Sequence, residues 1–195
     1  MKIRDLAVTT WTHSSYDDIW PMYYGQFNEC APFLKHYMFV NHHDKKNPTD
    51  CAVINNTEED KFCKRLIECL NQVEEKNIIY MQEDFVLYDS VEKENIEKLN
   101  NFLNDSEYSF IRLMKSGVEG GRLVNPEMGL FEVPNSCNYL YCLQATIWKK
   151  EDLVRLYDFF RPGSLLDSEL YGSHACRSLG IKGCYVYNRE PKRGN

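Results

Sequence analysis

Two adjacent carboxylates, Glu83 and Asp84, directly follow the apolar run of residues 78–81. Carboxylate oxygens at the end of a buried strand can bind a hard divalent cation, Mn²⁺ or Mg²⁺, which would neutralise a diphosphate. They can also accept hydrogen bonds from sugar hydroxyls without any metal, and acidic residues are common in the plain turns that follow strands. The spacing leaves these uses open, and Asp84 is the candidate metal ligand.

A second acidic pair, Asp167 and Glu169, lies near the start of a helical stretch that Gly180 ends. A carboxylate within hydrogen-bonding reach of a hydroxyl can take its proton as the oxygen attacks an electrophile. Residues two apart on a helix point about 200° away from each other, so only one of the pair can face a site. The sequence therefore offers Glu169 and Asp167 as candidates for such a role, and Asp167 could instead cap the helix.

Strands and helices alternate along the sequence and would position these carboxylates. The predicted strands cover residues 6–12, 37–40, 77–81, 108–114, 130–133, 139–148 and 181–187. The predicted helices cover residues 19–27, 62–75, a stretch after Ser90 with Ile96, Leu99 and Leu103 on its apolar face, 153–160 and 167–179. This alternation predicts an α/β domain with a central, mostly parallel (mixed) sheet flanked by helices.

Sheets of this kind bind ligands at the carboxyl ends of their strands. The first predicted strand delivers Thr10, Trp11 and Thr12 to that edge, where the carboxylate pair at 83–84 is also expected. Arg112 lies near the end of another predicted strand. Its guanidinium could reach a phosphate at the edge, or it could form an ion pair with one of the two carboxylates at 83–84.

Composition limits the classes of function. The chain has 195 residues, of which 43% are hydrophobic and 27% charged, as is typical of one globular domain. Its formal net charge of −6 gives no electrostatic footprint for nucleic acid. No apolar run is long enough to cross a bilayer, and residues 1–5 do not resemble a signal peptide. Eight cysteines without a C-x-x-C pair predict reduced thiols, so we expect a cytoplasmic protein.

Several familiar nucleotide and catalytic motifs do not occur in the sequence. There is no G-x-G-x-x-G after a strand, no G-x-x-x-x-G-K-[ST] and no G-x-S-x-G. Their absence disfavours dinucleotide binding of the Rossmann type, P-loop hydrolysis and the serine hydrolases that use a nucleophile elbow.

Near the end of the chain, Lys192 and Arg193 are further candidates for binding a diphosphate, if the tail folds over the site.

On these residues the chain resembles glycosyltransferases of the GT-A fold, and among them small viral and bacterial enzymes. The resemblance lies in the first strand ending at Thr12, the apolar strand with its acidic motif at 83–84, the small-residue stretch 144–150, and the acidic start of the helix at 166–170. Because residues 83–84 do not form a D-x-D motif, the resemblance leaves the use of a metal open.

The resemblance implies a role for each candidate residue. A nucleotide-sugar donor would be bound by Thr10, Trp11, Thr12, Glu83, Asp84 and Arg112. The acceptor would rest on a floor formed by Gln144, Ala145 and Thr146. In that family an acidic residue at the start of the helix is the usual general base. We therefore expect Glu169 to be the general base, with Asp167 as the alternative base.

We therefore expect one domain over residues 1–195, with a nucleotide-sugar half at 1–115 and an acceptor half at 116–195. The expected reaction moves a sugar from the nucleotide sugar to a hydroxyl of a glycan or glycoconjugate, with inversion at the anomeric carbon. Two alternatives stand beside it. One is a non-catalytic relative that binds a glycan or a partner. The other is a nucleotidyltransferase, which would be expected to carry a Gly-rich, basic loop near the N-terminus that this chain lacks.

Overall fold

The computed structural model describes residues 2–115 and 117–187, which form nine strands and five α-helices. The strands are β1 (Leu6–Trp11), β2 (Lys35–Asn41), β3 (Ala52–Asn56), β4 (Asn77–Gln82), β5 (Phe110–Arg112), β6 (Leu123–Asn125), β7 (Leu130–Glu132), β8 (Thr146–Lys149) and β9 (Gly183–Val186). The helices are α1 (Trp20–Cys30), α2 (Phe62–Leu70), α3 (Lys93–Asp105), α4 (Lys150–Phe160) and α5 (Leu165–Leu179).

All nine strands belong to one mixed sheet, in the order β3-β2-β1-β4-β8-β5-β9-β7-β6. Strands β3, β2, β1 and β4 are parallel to one another, and β9 is parallel to β5. Strand β8 lies between β4 and β5 and is antiparallel to both. The predicted α/β class, with a mostly parallel mixed sheet flanked by helices, is confirmed.

The strand directions bring several chain ends to one edge of the sheet. Strands β1, β4 and β5 all end there, and β8 begins there because it runs the opposite way. Helices α2, α4 and α5 cover one face of the sheet, and α1 and α3 cover the other. Strand β4 contributes to both layers, since Ile78 and Tyr80 pack under the first set of helices and Ile79 and Met81 under the second.

Several predicted elements are shorter than expected. The helix predicted over 62–75 ends at Leu70, and the strand predicted over 139–148 is paired only from Thr146 onward. The apolar residues just before Thr146 pack into the core and do not pair with a neighbouring strand. Tyr141 is buried against α5, where its backbone N–H donates to the Ser173 hydroxyl at 3.0 Å and its side chain hydrogen-bonds to Tyr157.

A buried histidine makes the fold sensitive to acid. His36 lies on β2 beneath α1, 3% exposed, with its Nε2 atom 2.7 Å from the Thr10 hydroxyl. The rings of Tyr23, Tyr24 and Phe27 surround it. Burial lowers the pKa of His36 from its ordinary 6.5 to about 3.

We therefore expect stability to fall as the pH drops from 6.5 toward 3, because the unfolded chain takes up a proton that folded His36 refuses. The slope from this one group is at most about 1.4 kcal/mol per pH unit. His36→Gln, which keeps a hydrogen-bonding side chain without a titration, should flatten the dependence in urea unfolding between pH 4 and 7. Parallel pH curves for the two proteins would contradict this account.

Candidate active site

Thr12 and Glu83 meet at the edge where β1 and β4 end. In the parallel register of these strands Trp11 lies opposite Gln82, so the residues that follow each are neighbours. The Thr12 hydroxyl accepts a hydrogen bond from the Trp20 indole N–H at 3.0 Å and also forms a hydrogen bond to the Glu83 carboxylate. The start of α1 thereby holds Thr12 in place beside the acidic pair.

The Glu83 carboxyl is only partly exposed, and its environment disfavours the charged form. Burial raises the pKa of Glu83 above its ordinary 4.5, and the neighbouring charge of Asp84 raises it further. A hydrogen bond from the backbone of Glu83, the hydrogen bond from Thr12 and the proximity of His13 lower the pKa but do not cancel the rise. Glu83 therefore binds its proton more tightly than a free carboxyl does, and it is suited to exchange hydrogen bonds with hydroxyl groups.

The same two carboxylates are also candidate ligands for a divalent cation. Among the residues that the structure describes, no three His, Cys, Asp or Glu side chains are grouped so that they could hold a metal ion. Asp84 and Glu83 supply two carboxylates at most. A Mn²⁺ or Mg²⁺ ion is often bound by one or two carboxylates together with substrate phosphates and water, so the pair fits a cation that arrives with a diphosphate.

Replacing Glu83 by Gln should stabilise the protein, since it removes a carboxylate whose ionised form is disfavoured. The gain in stability should be absent below about pH 4.5, where the wild-type carboxyl is protonated in both the folded and the unfolded protein. It should grow as the pH rises through the raised pKa of the folded protein. Thermal unfolding between pH 5 and 8 measures the difference. Glu74→Gln is the control, because Lys35 lowers the pKa of Glu74 and its replacement should give no such gain.

Thr10 and Trp11, two of the candidate donor-binding residues, are buried behind this edge. The Thr10 hydroxyl lies 2.8 Å from the Tyr23 hydroxyl, under α1. Trp11 points to the opposite face, where its ring meets Phe62 edge-on at 5.0 Å and Arg65 lies 5.3 Å from its centre. Their side chains support the edge from both faces, and Thr12 is the member of the trio that reaches it.

A pair of side chains, one of them at the end of the first predicted strand, ties two loops together at the same edge. His13, just after β1, has its Nε2 atom hydrogen-bonded to Glu58 in the loop between β3 and α2. Its Nδ1 atom accepts a hydrogen bond from the Ser15 backbone N–H at 3.0 Å. With Nδ1 accepting, the Nε2–H group donates to the Glu58 carboxylate. Only spatial proximity reveals this pair, because 45 residues separate the two side chains.

The candidate acceptor residues lie at the beginning of β8. Thr146 is 2% exposed and Ala145 is 7% exposed, whereas the Gln144 side chain is partly exposed. The Thr146 hydroxyl donates to the Gln144 carbonyl at 2.7 Å, which tightens the turn into the strand. In the antiparallel register Thr146 lies opposite both Tyr80 and Arg112.

Arg112 is fully buried and has no ion pair within residues 2–115 and 117–187. It is 1% exposed, and neither Nη1 nor Nη2 has a hydrogen-bond partner. The expected ion pair with Glu83 or Asp84 is therefore wrong. Strand β8 separates Arg112 from β4, and Arg112 shares a face with Phe110 under α5, whereas Glu83 interacts with Tyr23 under α1. Leaving a buried charge unpaired costs about 3–5 kcal/mol.

Helix α5 begins at the same edge of the sheet. The Pro162 carbonyl, just before α5, accepts a hydrogen bond from the Cys63 N–H at 3.3 Å at the start of α2. Ser164 caps α5 by accepting from the Asp167 N–H at 3.1 Å, so the expectation that Asp167 is the cap is wrong. Glu169 is exposed and Asp167 partly exposed, and the charge of Glu169 helps to raise the pKa of Cys142, just before β8.

The structure thus brings Glu83, Asp84, Gln144 and Glu169 to one edge of the sheet, with Thr12, Arg112 and Thr146 buried just behind it. Lys192 and Arg193 lie outside the described residues.

All eight cysteines are free. No helix in the described part of the chain is long and apolar enough to cross a membrane.

No protein-family model matches the sequence, and no curated protein sequence matches it. Solved structures do match. Residues 1–349 of S. aureus TarS superpose with a TM-score of 0.58 and 15% identity, over 97% of this chain and 59% of that chain. The mannosyltransferase PcManGT from Pyrobaculum calidifontis, in complex with GDP-Man and Mn²⁺, superposes with a TM-score of 0.56 and 14% identity. The match covers 97% of this chain and 58% of that chain. The chain has a GT-A-like fold.

The GT-A-like fold also extends to another class of enzyme. The 4-diphosphocytidyl-2C-methyl-D-erythritol synthase from Anaerococcus prevotii superposes with a TM-score of 0.54 and 11% identity, over 97% of this chain and 90% of that chain. The present chain therefore spans 59% of the TarS fragment and nearly all of this nucleotidyltransferase. At these identities the likeness establishes the fold, and the resemblance predicted from the sequence is confirmed at that level.

Proposed function

We propose that this protein is a glycosyltransferase that moves a sugar from a nucleotide-sugar donor to a hydroxyl of a glycan or glycoconjugate. One observation carries the proposal. The acidic pair after β4 and the exposed Glu169 at the start of α5 lie at the same ligand-binding edge of a GT-A-like sheet. TarS has been determined with UDP and with UDP-GlcNAc, and PcManGT with GDP-Man and Mn²⁺.

The donor belongs to the half of the edge formed by residues 1–115. Thr12 and Glu83 offer hydrogen bonds to its ribose or sugar hydroxyls, and Thr10 and Trp11 support them from behind. Asp84 is the residue that would bind a divalent cation bridging the donor's phosphates. Such a cation would neutralise charge on the departing diphosphate.

The acceptor belongs to the half formed by residues 116–195, beside Gln144, Ala145 and Thr146. Glu169 takes the proton of the acceptor hydroxyl as that oxygen forms a bond to the anomeric carbon. The bond between the anomeric carbon and the diphosphate breaks, and the nucleoside diphosphate leaves with that bonding pair from the opposite face. Asp167 is the alternative base, since it lies half a turn away on the same helix.

A nucleotidyltransferase is the second candidate function, favoured by the match that spans 90% of the synthase from Anaerococcus prevotii. Such an enzyme releases pyrophosphate from a nucleoside triphosphate, which requires cationic groups around three phosphates. The segment after β1 has none to offer, because residues 5–34 contain no Lys or Arg. This composition favours the transfer of a sugar.

Nucleotide binding should be visible as a rise in the unfolding temperature. We expect one of UDP, GDP, dTDP or CMP, or its sugar conjugate, at 100 times its Kd to add about 2.7 kcal/mol, equivalent to about 5–11 °C for a chain of this size. Each ligand is measured with and without Mn²⁺. With Asp84→Asn the Mn²⁺-dependent part of the shift should disappear, whereas Asp158→Asn, on the exposed side of α4, should keep it. A chain that no nucleotide stabilises would refute the donor site.

Turnover tests the proposed base. Glu169→Gln should lower kcat by at least about 100-fold while the Kd for the nucleotide stays unchanged, because only the proton transfer is lost. Glu151→Gln, an exposed carboxylate on α4, should leave kcat as it is. The product separates the candidates. Release of a nucleoside diphosphate supports sugar transfer, pyrophosphate released from a triphosphate and a sugar phosphate identifies a nucleotidyltransferase, and binding without turnover identifies a non-catalytic relative.

A further inference from the structure

The sheet register places four polar side chains in one row across four adjacent strands. Thr9 on β1 lies opposite Tyr80 on β4, Tyr80 opposite Thr146 on β8, and Thr146 opposite Arg112 on β5. Neighbouring strands are about 4.8 Å apart. All four residues are at most 2% exposed and lie on the face that α2, α4 and α5 cover. We call Thr9, Tyr80, Thr146 and Arg112 the polar row.

Most polar atoms of this row have no hydrogen-bond partner in the described part of the chain. Thr146 donates to the Gln144 carbonyl, but the hydroxyls of Thr9 and Tyr80 and both Nη atoms of Arg112 are unpaired. Buried polar groups are nearly always paired, and here the exceptions cluster on neighbouring strands. The polar row therefore has the character of a binding site.

Two further unpaired groups lie between the polar row and the edge of the sheet. Gln82 follows Tyr80 by two residues toward the edge, and Gln144 precedes Thr146 by two residues on the same side. The Gln82 Nε2 and Gln144 Oε1 atoms are buried without partners, although both side chains are partly exposed. They mark the path by which a ligand at the candidate active site would reach Arg112.

The donors of the row call for a ligand rich in acceptors. Arg112 is permanently charged, and its planar fork matches the oxygens of a phosphate or a carboxylate. The two thiols whose ionisation it influences cannot balance that charge at neutral pH. Burial raises the pKa of Cys142 and raises that of Cys176 to about 12, despite the opposing effect of Arg112. The counter-charge must come from outside the described chain.

We propose that the polar row is the receptor for one oxyanion, a phosphate or a carboxylate carried by a substrate. This proposal deepens the proposed function and rests on it only for the identity of the ligand. The oxyanion is either a phosphate of the nucleotide or an acidic group on the acceptor or the transferred sugar. It enters past Gln82 and Gln144 when residues 142–145, which have no regular secondary structure, move aside.

Substitution of Arg112 separates a receptor from a structural residue. Arg112→Met removes an unpaired buried charge, so the unfolding temperature without ligand should stay the same or rise. A drop of several degrees, or failure to fold, would mean that Arg112 has a partner within the protein and would overturn the proposal. Arg155→Met is the matched control, since Arg155 is an exposed arginine on α4 paired with Asp152.

Anion binding is measured on the same proteins by thermal unfolding at constant ionic strength. We expect at least one of inorganic phosphate, pyrophosphate, UDP, GDP, a sugar 1-phosphate and glucuronate to raise the midpoint of the wild type and of Arg155→Met. The rise should be lost in Arg112→Met and reduced in Tyr80→Phe, which removes one hydroxyl without changing shape. If the nucleotides, inorganic phosphate, pyrophosphate or the sugar 1-phosphate act, the oxyanion is a phosphate of the donor. If only glucuronate acts, it is an acidic group on the acceptor or the sugar, and if no anion acts, the proposal is overturned.

The outcomes of these experiments distinguish the oxyanion receptor from the proposed sugar transfer. Anion shifts that depend on Arg112, in a protein that turns over no nucleotide sugar, would support the receptor and refute the proposed reaction. Sugar transfer that Arg112→Met leaves unchanged, with no anion shifting the wild type, would support the reaction and overturn the receptor.

Discussion

The candidate site depends on one topological constraint, the insertion of antiparallel β8 between β4 and β5. Because β8 runs against its neighbours, its first residue lies at the edge where they end. Thr146 thereby becomes the link between Tyr80 and Arg112, and the residues just before it are brought to the acidic pair after β4. A parallel strand at this position would have placed Thr146 at the opposite edge, and the two halves of the site would not meet.

This insertion also dictates how α5 packs. Strand β7 ends at the sheet edge opposite to the one where β8 begins. The segment that joins them runs alongside α5, and Tyr141 in this segment is buried beneath that helix. The helix accommodates it with small residues, and a Cβ atom at Gly172 would lie 2.4 Å from the Tyr141 ring. The lack of a side chain at Gly172 thus allows α5 to pack closely over Tyr141.

Sequence patterns predicted the central strands because β1, β2 and β4 are buried on both faces and read as nearly continuous apolar runs. The outer strand β3 was missed, since Ala52–Asn56 is partly exposed and ends in two asparagines. The edge of the site followed from the strand assignments, which placed the acidic pair there, whereas Glu169 was singled out by the resemblance to GT-A glycosyltransferases. The unpaired state of Arg112 could not be predicted, because it depends on which face of the sheet each charge occupies.

The separation of Glu83 from Arg112 determines the chemistry that the site offers. Glu83 and Arg112 carry opposite charges near one edge, and pairing would relieve the unfavourable burial of both. The sheet topology keeps them apart, since β8 lies between β4, which Glu83 follows, and β5, which Arg112 ends. The protein therefore retains a carboxyl with a raised pKa on one side and an unpaired guanidinium on the other. A ligand at this edge would meet a carboxyl suited to hydroxyl groups, and only a ligand that also passed Gln82 and Gln144 would reach the buried cation.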